Sequence, residues 1–165
     1  ADRGRALRLR VNPGDRLPLY CSAAGKCILS RMSASARAQY ISEAKLAPVA
    51  PKTITDPVRL SDELDATMRR GWAMDDEELE PGLVCYGMPV ELPRYNFSGA
   101  VSVSGPSGRM HQAREEILAA LRWAVDALLA ELGGRHDDTA TPLFGPGRGG
   151  FRSNDWHRPG SEVYE

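Results

Sequence analysis

Long apolar runs are missing from this chain of 165 residues: no uninterrupted stretch approaches the ~20 residues that a membrane-spanning helix needs. Nothing in it has the layout of a secretory signal. An excess of one charge is missing too. The 21 Lys and Arg nearly cancel the 22 Asp and Glu, leaving a formal charge of -1, so no overall field draws the chain toward nucleic acid or an anionic membrane. Cysteine is scarce and odd in number. Cys21, Cys27 and Cys85 sit in apolar surroundings, which fits a reducing cytoplasm better than a disulfide scaffold. Cys21 and Cys27 lack the pair spacing of structural zinc sites, and no phosphate-cradling glycine pattern appears. His111, His136 and His157 fall near or beyond the last helical pattern, so no set of nucleophile, base and orienting group can be assembled around them. No metal or cofactor is expected, and no internal repeat is found.

What is present reads as one domain with a single sizeable core. Leu7, Leu9 and Val11 alternate with Arg8 and Arg10, the period of a half-buried strand, which Pro13-Gly14 ends. From Ser22 to Leu29 a capping residue is followed by small and apolar residues, predicting a short, mostly buried helix whose amino end carries free backbone N–H groups. Ser33 caps a second predicted helix through Ala44, and Pro48 and Pro51 break the pattern afterwards. Asp56-Pro57 supplies a cap and a first-turn proline for an amphipathic helix in which Leu60, Leu64 and Met68 recur up to Gly71. Leu83 to Val90 and Phe97 to Ser104 are rich in strand formers and are predicted to pair as antiparallel neighbours. A last helix is predicted from His111 to Leu132, with Ile117, Leu121, Val125, Leu128 and Leu132 on one face and Gly133-Gly134 as its stop. The mixture of helices with hairpin-linked strands is the α+β pattern. From Arg135 onward, five glycines and three prolines among 31 residues, without periodicity, read as a tail.

The strand pattern makes a geometric claim about Ser102 and Ser104. Two positions apart, they share a face with Ser98 and Ala100, with hydroxyls about 6 to 7 Å apart along the strand. Val101, Val103 and Phe97 take the other face. A face of hydroxyls and alanine is too polar for a core and too small-sided for a solvated surface, so it suits the floor of a polar pocket. The alternative, that these serines bond to neighbouring backbone or water, stays open. Asp75 ends the alternating stretch Trp72-Ala73-Met74, and a tight link through Pro81-Gly82 brings it and Cys85 toward the serine face. Asp76, Glu77, Glu78 and Glu80 read as a solvated acidic loop. A lone Cys85 reads first as a small buried hydrophobe. The helix start near Ser22 attracts carboxylates, and Ala23, Ala24 and Gly25 let a ligand approach its backbone. Together these groups suit a small molecule with one carboxylate and a neighbouring carbonyl or hydroxyl.

The order and spacing of the segments resemble the ligand-binding domain of IclR-family regulators. The resemblance is carried by Leu17-Pro18-Leu19-Tyr20-Cys21-Ser22-Ala23-Ala24-Gly25-Lys26, by Thr53-Ile54-Thr55, and by Leu60 with Leu64. It continues through Gly71 to Glu78, Gly82 to Cys85, Pro89-Val90 and Ala100 to Pro106, with Arg109 where that family usually has arginine. It covers roughly residues 5 to 134. It implies a curved antiparallel sheet flanked by helices, akin to GAF-type sensor domains, with an effector bound inside. The positions that matter in the family match Ala23, Ala24, Asp75, Cys85, Ser102 and Ser104 here. The resemblance also implies a bacterial homo-oligomer, dimeric or tetrameric. A small keto, aromatic or sugar-derived acid alters how its paired DNA-binding domains hold an operator.

In the family a winged helix-turn-helix, a linker and early strands precede the first motif, whereas here only about twenty residues do. The expectation is therefore an effector-binding domain over residues 1–134, truncated at its N-terminal side, with a tail over 135–165 and DNA contact only through a domain absent from this chain. Two other readings compete: an enzyme using Cys85 as nucleophile beside Asp75, and a dimerisation module without a ligand. A reactive thiol needs a cation or helix end to depress its pKa, and the local charges in sequence are carboxylates, so the enzyme is disfavoured.

Overall fold

The computed structural model describes residues 14–132. The strand expected at Leu7 to Val11, the Gly133-Gly134 stop and the tail lie outside the described residues. Three helices come first. In α1 (Ala23–Arg31) the Ser22 hydroxyl accepts from the Gly25 N–H at 3.2 Å and donates to the Pro18 carbonyl at 3.0 Å. In α2 (Ala34–Glu43) Ser33 accepts from the Ala36 N–H at 3.2 Å. In α3 (Pro57–Arg70) Asp56 accepts from the Arg59 N–H at 2.7 Å, and Gly71, at φ 77°, closes the helix in the left-handed region that glycine tolerates. All three caps stand where the sequence places them.

An antiparallel sheet follows, in the order β1 (Ala73–Asp76), β2 (Leu83–Leu92), β3 (Phe97–Pro106). A short 3-10 turn over Pro93–Tyr95 and Asn96 in the left-handed region join β2 to β3, and both strands run two residues past the expected ends. Two helices, α4 (Ser107–Gln112) and α5 (Arg114–Glu131), complete the described fold. The single helix expected from His111 is thus two, parted at Ala113, and the first begins directly after β3, where the Ser107 N–H reaches the Gly82 carbonyl at 2.9 Å.

The sheet is packed on both sides. Alternate β2 residues Val84, Tyr86, Met88, Val90 and Leu92 form one core with Met110 and with Leu121, Val125 and Leu129 of α5. The intervening Leu83 and Cys85 pack on Ala23 of α1. Behind α1 lies another core, made of Tyr20, Cys21 and Leu29 with Leu60 and Leu64 of α3. Double-sided burial explains why β2 reads as a nearly continuous apolar run rather than an alternation. Two stripe residues differ from expectation. Met68 is 48% exposed while Thr67 is buried, because a 3.6-residue period drifts off a strict every-fourth spacing. Leu132 is likewise exposed, and Leu129 takes the buried place at the end of α5.

Candidate functional site

The ladder register places the polar candidates in rows. Asp75 pairs with Cys85 and Cys85 with Ser104; Ala73 pairs with Gly87 and Gly87 with Ser102. Directly opposed residues share a face, and this face is the one α1 covers. A Cβ on Gly87 would come within 3.2 Å of the Ala23 carbonyl carbon, so the helix start rests on the strand backbone. Gly25 is tighter still: a Cβ there would lie 2.3 Å from the Leu19 Cα and carbonyl oxygen. Ala23 is buried and Ala24 half-buried. The structure therefore brings the α1 start, Asp75, Cys85, Ser102 and Ser104 to one side of the sheet. The face is uneven, since Asp75 and Cys85 are buried whereas Ser102 and Ser104, on the outer strand β3, are exposed. A wide depression of about 720 Å³ between α2 and α3, lined by Ile41, Leu46, Pro57 and Val58 among others, contains none of these residues.

The acidic segment after β1 corrects the sequence reading. Asp75 is 1% exposed, and its Oδ1 accepts from the N–H groups of Glu78 at 2.8 Å and Leu79 at 3.3 Å. That turn draws Glu78 inward, where its Oε1 accepts from the Lys26 ammonium at 2.5 Å. Lys26 is 1% and Glu78 5% exposed, so Glu78 is not part of a solvated loop. Asp76, Glu77 and Glu80 do reach the surface. Lys52 pairs with Asp76 at 3.3 Å and Glu77 at 2.8 Å, and His111 lies 3.0 Å from Asp76. The Lys52 hydrogen bond holds the Glu77 carboxyl below its ordinary range.

Lys26 is the residue that sequence reasoning missed. It connects the helix start to α3 as well, through Glu63 at 3.8 Å, which in turn holds Arg70 at 2.6 Å. Arg70 donates to the Trp72 carbonyl at 2.7 Å and stacks 4.2 Å from the indole centroid. The available signal was a lysine inside the run Ser22-Ala23-Ala24-Gly25-Lys26-Cys27-Ile28-Leu29, because a cation on a buried helix face requires a buried carboxylate.

Burial dominates the titration of the site. It pushes the Cys85 thiol up to about 11, with the Asp75 charge adding to the rise and the Ser104 hydrogen bond and Lys26 opposing it. Cys21 and Cys27 are both pushed up to about 12 by burial. A thiol that stays protonated at neutral pH is a poor nucleophile, and the buried Lys26 nearby does not overcome the effect. Burial likewise raises the carboxyls of Asp75 and Glu78, against the lowering pull of Lys26. The arrangement thus offers hydroxyls, a helix amino end and buried carboxyls for binding, rather than an activated nucleophile.

A three-strand antiparallel sheet thus lies between helical layers, with a polar patch under a helix start. The family model described as bacterial transcriptional regulator IclR C-terminal matches residues 2–129, and the chain belongs to that family. The chain is 33% identical over 132 residues to the HTH-type transcriptional regulator BhcR of Paracoccus denitrificans, covering 80% of this chain and 46% of that protein. The crystal structure of IclR from Thermotoga maritima is similar at 30% identity and a TM-score of 0.69, over 80% of this chain and 53% of that one. An inducer-binding domain of the transcription factor PobR from Acinetobacter, a double mutant in complex with 3-hydroxybenzoic acid, is similar at 26% identity and a TM-score of 0.65, over 72% of each chain. The chain spans about half the length of the curated relatives it matches. Those relatives are transcription regulators, not enzymes.

Proposed function

We propose that this chain senses a small organic acid and that its occupancy modulates operator binding by a DNA-binding part of the regulator outside the matched residues. The observation that carries the reading is the convergence of the α1 start, Ser102 and Ser104 on one side of the sheet. Free N–H groups at a helix start favour a carboxylate, and two serine hydroxyls beside them supply donors of the right reach. Asp75 and Cys85 then border the part of the ligand next to its carboxylate, and Ala23 and Ala24 are small enough to leave the helix backbone approachable. The sensing domain is assigned to residues 1–134 and the remainder, 135–165, to a tail. The 3-hydroxybenzoic acid complex of the PobR domain is in keeping with an acid ligand.

Thermal-shift measurements against keto, hydroxy and aromatic acids identify the ligand, since binding to the native state alone raises its melting temperature. With that ligand, Ser102→Ala and Ser104→Ala should each weaken affinity about tenfold to a hundredfold, the loss of a charge-assisted hydrogen bond of roughly 1.5 to 3 kcal/mol. Ala24→Val should block access to the helix start, while Asp76→Ala should leave affinity almost unchanged. Equal affinities for the wild type and both serine variants in titration calorimetry would remove the carboxylate cradle from consideration.

A further inference from the structure

The buried centre of the site is not electrically balanced. Two carboxyls, Asp75 at 1% and Glu78 at 5% exposure, lie around one buried ammonium, that of Lys26, which is paired with Glu78 and acts on Asp75 only through its field. Each carboxyl also has one oxygen without a hydrogen-bond partner among the described residues, Oδ2 of Asp75 and Oε2 of Glu78. A buried carboxylate oxygen left bare is costly, and a second uncompensated negative charge costs more. The groups around the pair do little to correct this. From α1 and the turn before it come Lys26 and the neutral thiol of Cys21, and from β2 the neutral thiol of Cys85, a weak donor toward Asp75 that lowers its carboxyl less than burial raises it. From α3 comes Glu63, itself held by Arg70, with its oxygen 3.8 Å from the ammonium. Thr53 Oγ1 donates to the Glu78 carbonyl at 2.6 Å and adds no charge. An anionic ligand beside Ser104, in the same row as Asp75, would bring a third negative charge to this cluster.

We infer that the Asp75–Glu78 pair is a proton-binding site, and that an acid effector enters together with one proton taken from solvent onto this pair. The inference rests on the effector reading above. Protonation cancels the surplus charge, and the new O–H supplies a donor for the ligand. The upward displacement of both carboxyls by burial favours the same outcome.

Two measurements on the full chain decide it. In infrared spectra of the free protein, a protonated-carboxyl C=O band should persist above the ordinary Asp and Glu range of about 4 and fade as the pH is raised further. It should be diminished in Asp75→Asn and in Glu78→Gln, so that either variant serves if the other fails to fold. Absence of any carboxyl band titrating above that ordinary range would overturn the inference. The second measurement uses pyruvate as probe. Its affinity should fall about tenfold per pH unit above the higher apparent pKa of the pair, the slope for uptake of one proton. At a pH above that value, calorimetry in two buffers of different ionisation heat should register that proton. A pH-independent affinity with no buffer dependence would overturn the inference. Failure of pyruvate to bind at any pH would count against the effector reading, and the infrared result alone would then decide the pair.

Discussion

Lys26→Met should lower the unfolding free energy by about 3–5 kcal/mol at neutral to alkaline pH, the usual cost of stranding one member of a buried ion pair. The methionine nearly preserves the volume of the lysine stem, so the loss comes from Glu78, whose carboxylate would stay under α1 without its ammonium. The pH dependence follows from the sign of the carboxyl displacement. Glu78 is already raised in the native chain and rises further without Lys26, so the folded state binds more protons than the unfolded one. Stability therefore falls as pH increases through the window between the ordinary carboxyl range and the folded value, and the deficit narrows as pH drops below that window. The double variant Lys26→Met/Glu78→Leu should recover most of the loss, because an apolar pair of similar volume often replaces a buried ion pair at little cost. Urea unfolding at two pH values checks both statements. A single variant as stable as the wild type at alkaline pH would show that the pair contributes nothing.

Gly25→Ala is expected to be nearly as damaging, at about 3 kcal/mol, the upper end of overpacking costs. The added methyl meets the Cα, carbonyl carbon and carbonyl oxygen of Leu19 at 2.3 to 2.7 Å, and a backbone cannot rotate away as a side chain can. To relieve the clash α1 must lift at its first turn, which displaces Ala23 and Ala24 and should abolish affinity for any carboxylate held there. Gly108→Ala is the control. Nothing lies within 4 Å of a Cβ at that position in α4, so the exchange should be neutral or slightly stabilising. Thermal melts of both variants give the comparison, and equal melting temperatures would mean that the first turn of α1 tolerates the shift.

Features encoded within a few neighbouring residues were legible in the sequence. Ser22, Ser33 and Asp56-Pro57 cap helices because a side-chain oxygen bonds an N–H three residues ahead, a rule that needs no knowledge of the rest of the chain. Gly71 ends α3 for an equally local reason. The pairing of Cys85 with Ser104 was not local. Only the strand alternation, together with the family resemblance, joined Asp75, Cys85, Ser102 and Ser104 before the register was known. Two features have no local mark in the sequence. Glu78 lies among acidic residues of a surface turn, and its burial depends on Lys26, 52 positions earlier. The break between α4 and α5 at Ala113 carries no proline or glycine, so nothing in the local sequence marks it.

Strand β2 separates two cores, and its neighbours in sequence answer to different masters. Tyr86 and Met88 are locked among the side chains of α5, while the alternate positions Cys85 and Gly87 face α1 and the candidate site. A slip of one residue along the ladder would turn every one of these side chains inside out, so the back of the sheet acts as a ruler for the front. Tuning of ligand preference can therefore arise at positions that no ligand touches. A smaller residue at Tyr86 would let the strand settle toward α5 and widen the gap beneath α1, and so change which acids fit the proposed site without altering a group that lines it.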